Sequence, residues 1–104
     1  MNIKALHTAV KTGQIEWQRH SFERMMERGI SREAVKSVLV NGEIIEDYPS
    51  NRPYPSALFL GWNQSKPLHV VAALDESNER CFIITAYQPD LEHFKSGFKI
   101  RRQR

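Results

Sequence analysis

Residues 2–42 carry apolar side chains three and four positions apart, which is the spacing of helices that bury one face. Glycine after the last turn commonly ends a helix, and a serine hydroxyl is a good N-cap. Three helices are therefore predicted: residues 2–11 before Gly13, residues 20–28 before Gly29, and a helix that begins after Ser31 and ends at Asn41-Gly42. Residues 15–17, between the first two helices, form a brief extended segment in this interpretation.

After Gly42 the pattern changes to the alternation and the β-branched and aromatic content of strands. Strands are predicted over residues 43–48, 56–62, 68–75 and 80–87, with a proline-containing loop at 51–55 and a short terminal helix at 90–98. The connections are short, which favours an antiparallel meander with the helices packed on its apolar face. The expected fold class is α+β, with N-terminal helices on a four-stranded antiparallel sheet.

The composition is that of one globular domain over residues 1–104, because 40% of the residues are hydrophobic and 26% are charged. No apolar run approaches the length of a membrane span, and the N-terminus lacks the apolar stretch of a secretory signal. The single cysteine, Cys81, excludes an internal disulfide, and its place in an apolar strand predicts that it is buried. A cytoplasmic location is therefore expected.

Positive charge is concentrated in a basic tail, residues 95–104, which contains no acid although the net charge of the chain is only +3. Its basic residues are Lys95, Lys99, Arg101, Arg102 and Arg104. A cluster of this kind favours a phosphate backbone or an acidic partner. A frayed, solvated tail explains it equally well.

One face of the second predicted helix is polar. His20, Arg24 and Arg28 lie four residues apart, so they share this face, while Phe22 and Met25 lie on the opposite side. Neighbouring cations favour a neutral imidazole that can accept a proton, and guanidinium groups can hold a phosphate. The alternative, which spacing alone favours, is a solvated face whose arginines are neutralised by acids of the same helix.

A second candidate site lies on the hairpin of the last two strands. A three-residue loop at 76–78 pairs Asp75 with Glu79 and places His69 opposite Thr85, with Tyr87 on the same face. A core-lining hairpin with hydrogen-bonded polar groups is the open alternative. No metal site and no cofactor are expected, because the histidines lack ligand-like spacing and there is no glycine-rich phosphate loop. Trp17 and Trp62 are expected to be packing residues.

Histidine, arginine, threonine and tyrosine without a metal suit RNA cleavage, because RNA supplies its own nucleophile, the 2′-hydroxyl. Such an enzyme needs a base, cations beside the phosphate and an acid for the leaving oxygen. The same residues also suit a non-catalytic module that binds a protein or a nucleic acid.

Several motifs stand in order along the chain. The opening motif is residues 15–30 with His20, Arg24, Met25 and Glu27-Arg28-Gly29-Ile30-Ser31. The middle is Asn41-Gly42, Tyr48-Pro49, Arg52-Pro53 and Pro55, and the end is Pro67-Leu68-His69-Val70-Val71, Thr85-Ala86-Tyr87-Gln88-Pro89-Asp90 and Arg101-Arg102.

These motifs resemble the bacterial family called domain of unknown function 4258 over nearly the whole chain. The resemblance implies a relation to RelE-like and BrnT-like toxins, small α+β ribonucleases. It implies an RNA-cleaving toxin, with mRNA on the ribosome as one form of substrate, and a neutralising antitoxin of zinc-finger type as partner. The motif-matched catalytic candidates are His20, Arg24, Arg28, His69, Thr85 and Tyr87. Lys95, Lys99, Arg101 and Arg102 are the candidate RNA-binding residues.

Overall fold

Three helices and five strands form within residues 1–103, the part of the chain that the computed structural model describes. The helices are α1 (Ile3–Lys11), α2 (Arg19–Glu27) and α3 (Arg32–Asn41). The strands are β1 (Ile15–Trp17), β2 (Glu43–Tyr48), β3 (Ser56–Asn63), β4 (Lys66–Asp75) and β5 (Arg80–Tyr87). Arg104, the last residue of the predicted basic tail, lies outside the described residues.

The helix ends follow the signals in the sequence. The Ser31 hydroxyl accepts a hydrogen bond from the Ala34 amide at 3.0 Å, and the Asn2 side chain accepts one from the Ala5 amide at 3.1 Å. Gly13 and Gly29 follow α1 and α2 with positive φ values of 77° and 69°. The predicted helices are confirmed, with α2 beginning one residue earlier than expected.

All five strands belong to one sheet in the order β1-β5-β4-β3-β2. The predicted antiparallel meander of β2 to β5 is confirmed. The prediction of a four-stranded, fully antiparallel sheet is wrong, because the extended segment at 15–17 pairs in parallel with Cys81 to Ile83 of β5. Three residues are too few to show a strand periodicity, and the parallel pairing is a long-range contact that local pattern does not report.

The main core lies between the helices and one face of the sheet. The helices contribute Leu6, Met25, Val35 and Leu39, and the strands contribute Phe59, Val70, Leu74 and Ile83. Cys81 is buried there as predicted, and burial raises the pKa of its thiol to about 12. Among the described residues, no helix has the length and apolar character needed to cross a membrane.

The segment after β5 covers part of the opposite face of the sheet. The predicted helix at 90–98 is wrong, because the Asp90 carboxylate accepts hydrogen bonds from the Glu92 and His93 amides and holds a turn. Residues 93–102 then fold back as a C-terminal hairpin in which Phe94 pairs with Arg101. The described part of the basic tail is therefore a packed element and not a frayed end.

A substitution at Gly42, between α3 and β2, tests how closely the helix layer approaches the sheet. A Cβ at Gly42 would lie 2.5 Å from the carbonyl oxygens of Val38 and Leu60, so the Gly42→Ala substitution forces the backbone to move. We expect it to lower the free energy of unfolding by about 3 kcal/mol or more, measured by urea denaturation.

Gly13→Ala is the matched control. Its Cβ meets no atom within 4 Å, so the cost is limited to left-handed strain of about 1–2 kcal/mol. Equal destabilisation by the two substitutions would contradict the close approach at Gly42.

Candidate functional site

The β4–β5 hairpin has a different register from the predicted one. Asp75 pairs with Arg80 and not with Glu79, because the Asn78 backbone and side-chain amides bond to the Asp75 carboxylate and lengthen the turn. A bulge at Ile84 shifts the register by one further residue. His69 therefore lies opposite Tyr87, and the predicted pairing of His69 with Thr85 is wrong.

His69 is fully buried on the sheet face that the C-terminal hairpin covers. Its Nε2 lies 2.8 Å from the carbonyl oxygen of Phe98, and its Nδ1 lies 3.2 Å from the Tyr87 hydroxyl. A carbonyl can only accept, so Nε2 carries the hydrogen and the Nδ1 of a neutral ring accepts from Tyr87. Burial lowers the pKa of His69, which favours this neutral form.

An ion pair joins the C-terminal hairpin to β2 of the same sheet. The Arg101 Nε lies 2.9 and 3.2 Å from the two carboxylate oxygens of Glu46, and the Tyr48 hydroxyl donates to the same carboxylate. Burial alone would raise the pKa of Glu46, but the hydrogen bonds from Arg101 and Tyr48 outweigh it and lower the pKa. The Arg101 guanidinium also lies 5.1 Å from the centre of the Phe94 ring. Arg101 is thus held in place by β2 and by its own hairpin.

An open groove of about 260 Å³ lies beside this pair, and we call it the Tyr87 groove. It is lined by Tyr87, Pro89, Asp90, His93, Phe94 and Arg101. The His93 Nδ1 lies 2.8 Å from the Asp90 carboxylate, so a neutral ring that donates from Nδ1 has a free lone pair on Nε2. An imidazole, a phenol and a guanidinium therefore surround one space.

A second depression of about 420 Å³ shares Tyr87 and Asp90 with the groove and adds Arg28. Helix α2 lies along the edge of β5 beyond the end of β1. The Ser21 hydroxyl donates to the carbonyl oxygen of Ile84 and the Arg28 guanidinium to that of Ala86, both at 2.7 Å. These bonds satisfy edge carbonyl groups that a longer β1 would have paired.

The structure brings some of the predicted site residues together and separates others. Tyr87, His69 and Arg28 converge, but His20 is exposed on α2, about 12 Å along the helix axis from Arg28. His20 and His69 therefore do not face one pocket. Arg24 is exposed between His20 and Arg28, and Glu23, one of the two acids of α2, pairs with Arg19 and not with Arg24.

Thr85 lies on the Tyr87 side of β5 but opposite Val71. Within residues 1–103, no side-chain hydrogen bond joins Thr85 to Tyr87, whose hydroxyl instead meets His69.

The four basic residues predicted to bind RNA are all exposed: Lys95, Lys99, Arg101 and Arg102. Lys99 pairs with Glu43 at 2.7 Å, and Arg102 donates to the carbonyl oxygen of Leu91 at 2.6 Å.

His93, Asp90 and Glu46 were not predicted as site residues from the sequence. The spacing of Asp90 and His93, three residues apart after a proline, was the available signal, but the predicted terminal helix gave it a different meaning. Glu46 carries no such signal, because its partner Arg101 is 55 residues away.

The ligand atoms of Asp90, Glu92 and His93 lie within 4.8 Å of one another, and all three residues are exposed. The Asp90 Oδ1 already accepts hydrogen bonds from the His93 ring and from two backbone amides. This carboxylate oxygen is therefore used in hydrogen bonds that hold the turn and the His93 ring, and the cluster is not arranged as a metal-binding site.

A family model described as Domain of unknown function (DUF4258) matches residues 17–88. The matched segment includes His69 and Tyr87 but ends before Asp90, His93 and the C-terminal hairpin. No curated protein matches the chain significantly.

Burial of His69 predicts that the free energy of unfolding depends on pH. Between its lowered pKa and the ordinary value of about 6.5, the unfolded chain binds a proton that the folded chain does not. The free energy of unfolding should therefore fall as the pH drops below about 6.5, by at most about 1.4 kcal/mol per pH unit from this group.

Urea unfolding at several pH values between about 5 and about 8 measures this slope. The control is His69→Gln, whose neutral amide can donate to the Phe98 carbonyl and accept from Tyr87. Subtracting the variant's slope from that of the wild type isolates His69, and equal slopes would contradict the assignment.

Proposed function

This chain belongs to the DUF4258 family, and on that premise we propose that it is a metal-independent endoribonuclease, the toxin of a toxin–antitoxin pair. The observation that supports the proposal is the Tyr87 groove, where His93, Tyr87 and Arg101 line one open space. Arg28 lies on the other side of Tyr87, so two guanidinium groups flank the phenol. A phosphodiester is the substrate that such a set of side chains fits.

In the proposed reaction the 2′-hydroxyl of RNA attacks the adjacent phosphorus and the bond to the 5′-oxygen breaks. The His93 Nε2 takes the proton of the 2′-hydroxyl while Asp90 orients the ring through Nδ1. Arg101 and Arg28 stabilise the negative charge that develops on the phosphate oxygens. The products are a 2′,3′-cyclic phosphate and a 5′-hydroxyl.

Tyr87 is the proposed acid for the leaving 5′-oxygen. Burial raises the pKa of its phenol, so the group stays protonated near neutral pH. In the free protein the phenol donates its one hydrogen to the His69 Nδ1, which holds the ring in place, and when RNA is bound this hydrogen turns to the leaving 5′-oxygen. In this proposal His69 is a positioning residue, because it is buried and both of its ring nitrogens already have partners.

The remaining predicted residues, apart from Thr85, would lie along the path of the RNA strand. His20 and Arg24 lie on the exposed face of α2 that leads away from Arg28, where they would contact the flanking backbone. Lys95, Lys99 and Arg102 are exposed on the C-terminal hairpin at the other side of the groove. Such contacts predict binding that weakens as the salt concentration rises.

The proposed setting is the cytoplasm, where an antitoxin, for which a zinc-finger protein is the expected type, would neutralise the enzyme. Cationic and aromatic side chains around the Tyr87 groove are suited to an acidic partner segment that competes with RNA.

Cleavage in EDTA tests the chemistry. We expect the purified protein to cleave RNA with the metal chelated, and His93→Ala and Tyr87→Phe to lower the rate by about 100-fold or more. Gel analysis of a labelled RNA, with and without ribosomes, measures the rates and the cyclic-phosphate ends.

His20→Ala is the matched control, because it removes an imidazole outside the groove and should change the rate by only a few-fold. If wild type cleaves no better than Tyr87→Phe, the assignment of Tyr87 fails, and if wild type does not cleave RNA under either condition, the nuclease proposal fails. Salt-dependent RNA binding that survives in all variants would instead indicate a non-catalytic binding module.

A bacterial growth assay tests the toxin proposal. Expression of the wild-type chain alone should arrest bacterial growth, and His93→Ala, which changes an exposed side chain, should not. Co-expression of a neighbouring gene should restore growth, and full tolerance of the wild-type chain would argue against a toxin.

A further inference from the structure

A cleft separate from the Tyr87 groove lies between the end of α3, the start of β2 and the turn of the C-terminal hairpin. Its volume is about 570 Å³, more than twice that of the Tyr87 groove. The residues that matter here are Ser37, Asn41, Glu43, Trp62, Gly97 and Lys99, and we call it the Trp62 cleft. A space of this size is sufficient for a small ligand or a nucleotide.

Trp62 was expected to be a packing residue, but 56% of it is exposed. The Phe98 ring meets it edge-on, with ring centres 6.3 Å apart, and this contact holds the indole at the mouth of the cleft. An exposed tryptophan held in this way presents a flat apolar surface to which a planar ring can stack.

The polar wall of the cleft offers hydrogen-bond acceptors. The Asn41 amide nitrogen donates to the Ser37 hydroxyl at 3.3 Å, which leaves the amide oxygen to accept. The Glu43 carboxylate binds Lys99 through one oxygen at 2.7 Å, and its second oxygen can accept from a ligand. A planar ring that carries an amino group matches this wall, and the larger purine ring covers more of Trp62.

The rim of the cleft is basic. Lys99 and Lys95 belong to the hairpin that supplies Gly97, and Lys66 lies at the start of β4, beside the end of β3 that carries Trp62. All three side chains are exposed. An anionic backbone that leaves the cleft therefore meets lysines at two of its sides.

Trp62 and Tyr87 lie at the same end of the sheet. Leu60 pairs with His69, which pairs with Tyr87, and Trp62 is two residues beyond Leu60. The two side chains are thus separated by about 10 Å across the strands and about 7 Å along them. Phe98 links them, because its ring contacts Trp62 and its carbonyl accepts from His69. A few nucleotides of extended strand span such a distance.

We propose that the Trp62 cleft binds one unpaired purine base of the RNA strand whose phosphate lies in the Tyr87 groove. The base stacks on Trp62, and its amino group donates to Asn41 or Glu43. This inference rests on the proposed nuclease function and adds to it a preference for single-stranded RNA with a purine near the cleaved bond.

Binding of short 2′-O-methyl RNA tests the cleft without cleavage, because the nucleophile is blocked. In a Trp17→Phe background the fluorescence reports Trp62 alone. We expect hexa-adenosine to quench this fluorescence and to bind at least about 5-fold more tightly than hexa-uridine. By fluorescence anisotropy of labelled strands, Trp62→Leu should weaken hexa-adenosine binding about 10-fold or more, and Trp62→Phe should weaken it much less.

Ile100→Ala is the matched control, because Ile100 is an exposed apolar residue of the C-terminal hairpin outside the cleft. Unquenched fluorescence together with equal affinity of Trp62→Leu and wild type would overturn the inference, even if the enzyme cleaves RNA. Quenching by hexa-adenosine with no cleavage of ordinary RNA would support the Trp62 cleft as a binding site for a nucleobase and would contradict the nuclease proposal.

Discussion

The arrangement of both candidate sites depends on the buried imidazole of His69. One ring nitrogen meets the hydroxyl of Tyr87 on the sheet, and the other meets the carbonyl oxygen of Phe98 on the C-terminal hairpin. A buried polar group without a partner costs about 1–3 kcal/mol, so the ring requires both contacts at once. The hairpin must therefore lie where its turn reaches β4, and this position fixes Phe94, Arg101 and Lys99 relative to the sheet.

The neutral form of His69 is part of the same constraint. An imidazolium would have to give a second hydrogen to Tyr87 inside a buried site that already lies near Arg101, and burial lowers the pKa of His69. The charge of Arg101 is paired with the carboxylate of Glu46. The sheet face thus carries a neutral histidine and a charged arginine, and Tyr87 contacts His69 and lines the open groove together with Arg101.

Local sequence signals were sufficient for the helices, their caps and four strands. The hydroxyl of Ser31 and the glycines after α1 and α2 act within a few residues, so their effect can be seen in the sequence. The pairing of β1 with β5 joins residues about 66 positions apart, and nothing local reports it. The predicted register of the β4–β5 hairpin was wrong for a related reason, because the Asp75–Asn78 turn and the bulge at Ile84 each shift the observed register by one residue. The two shifts cancel in their effect on side-chain direction, so His69 and Tyr87 still share a face.

The candidate site was predictable only where a short hairpin controls it. The nearness of His69 to Tyr87 follows from alternation along two neighbouring strands, and the structure keeps it. The shared helical face of His20, Arg24 and Arg28 also follows from spacing, but spacing does not say which end of the face meets the sheet. That depends on Ser21 and Arg28 binding the carbonyl groups at the edge of β5. Because α2 docks there through these two residues, Arg28 reaches Tyr87 while His20 stays exposed, and the imidazole that lines the groove together with the phenol is His93, from a hairpin that local pattern had assigned to a helix.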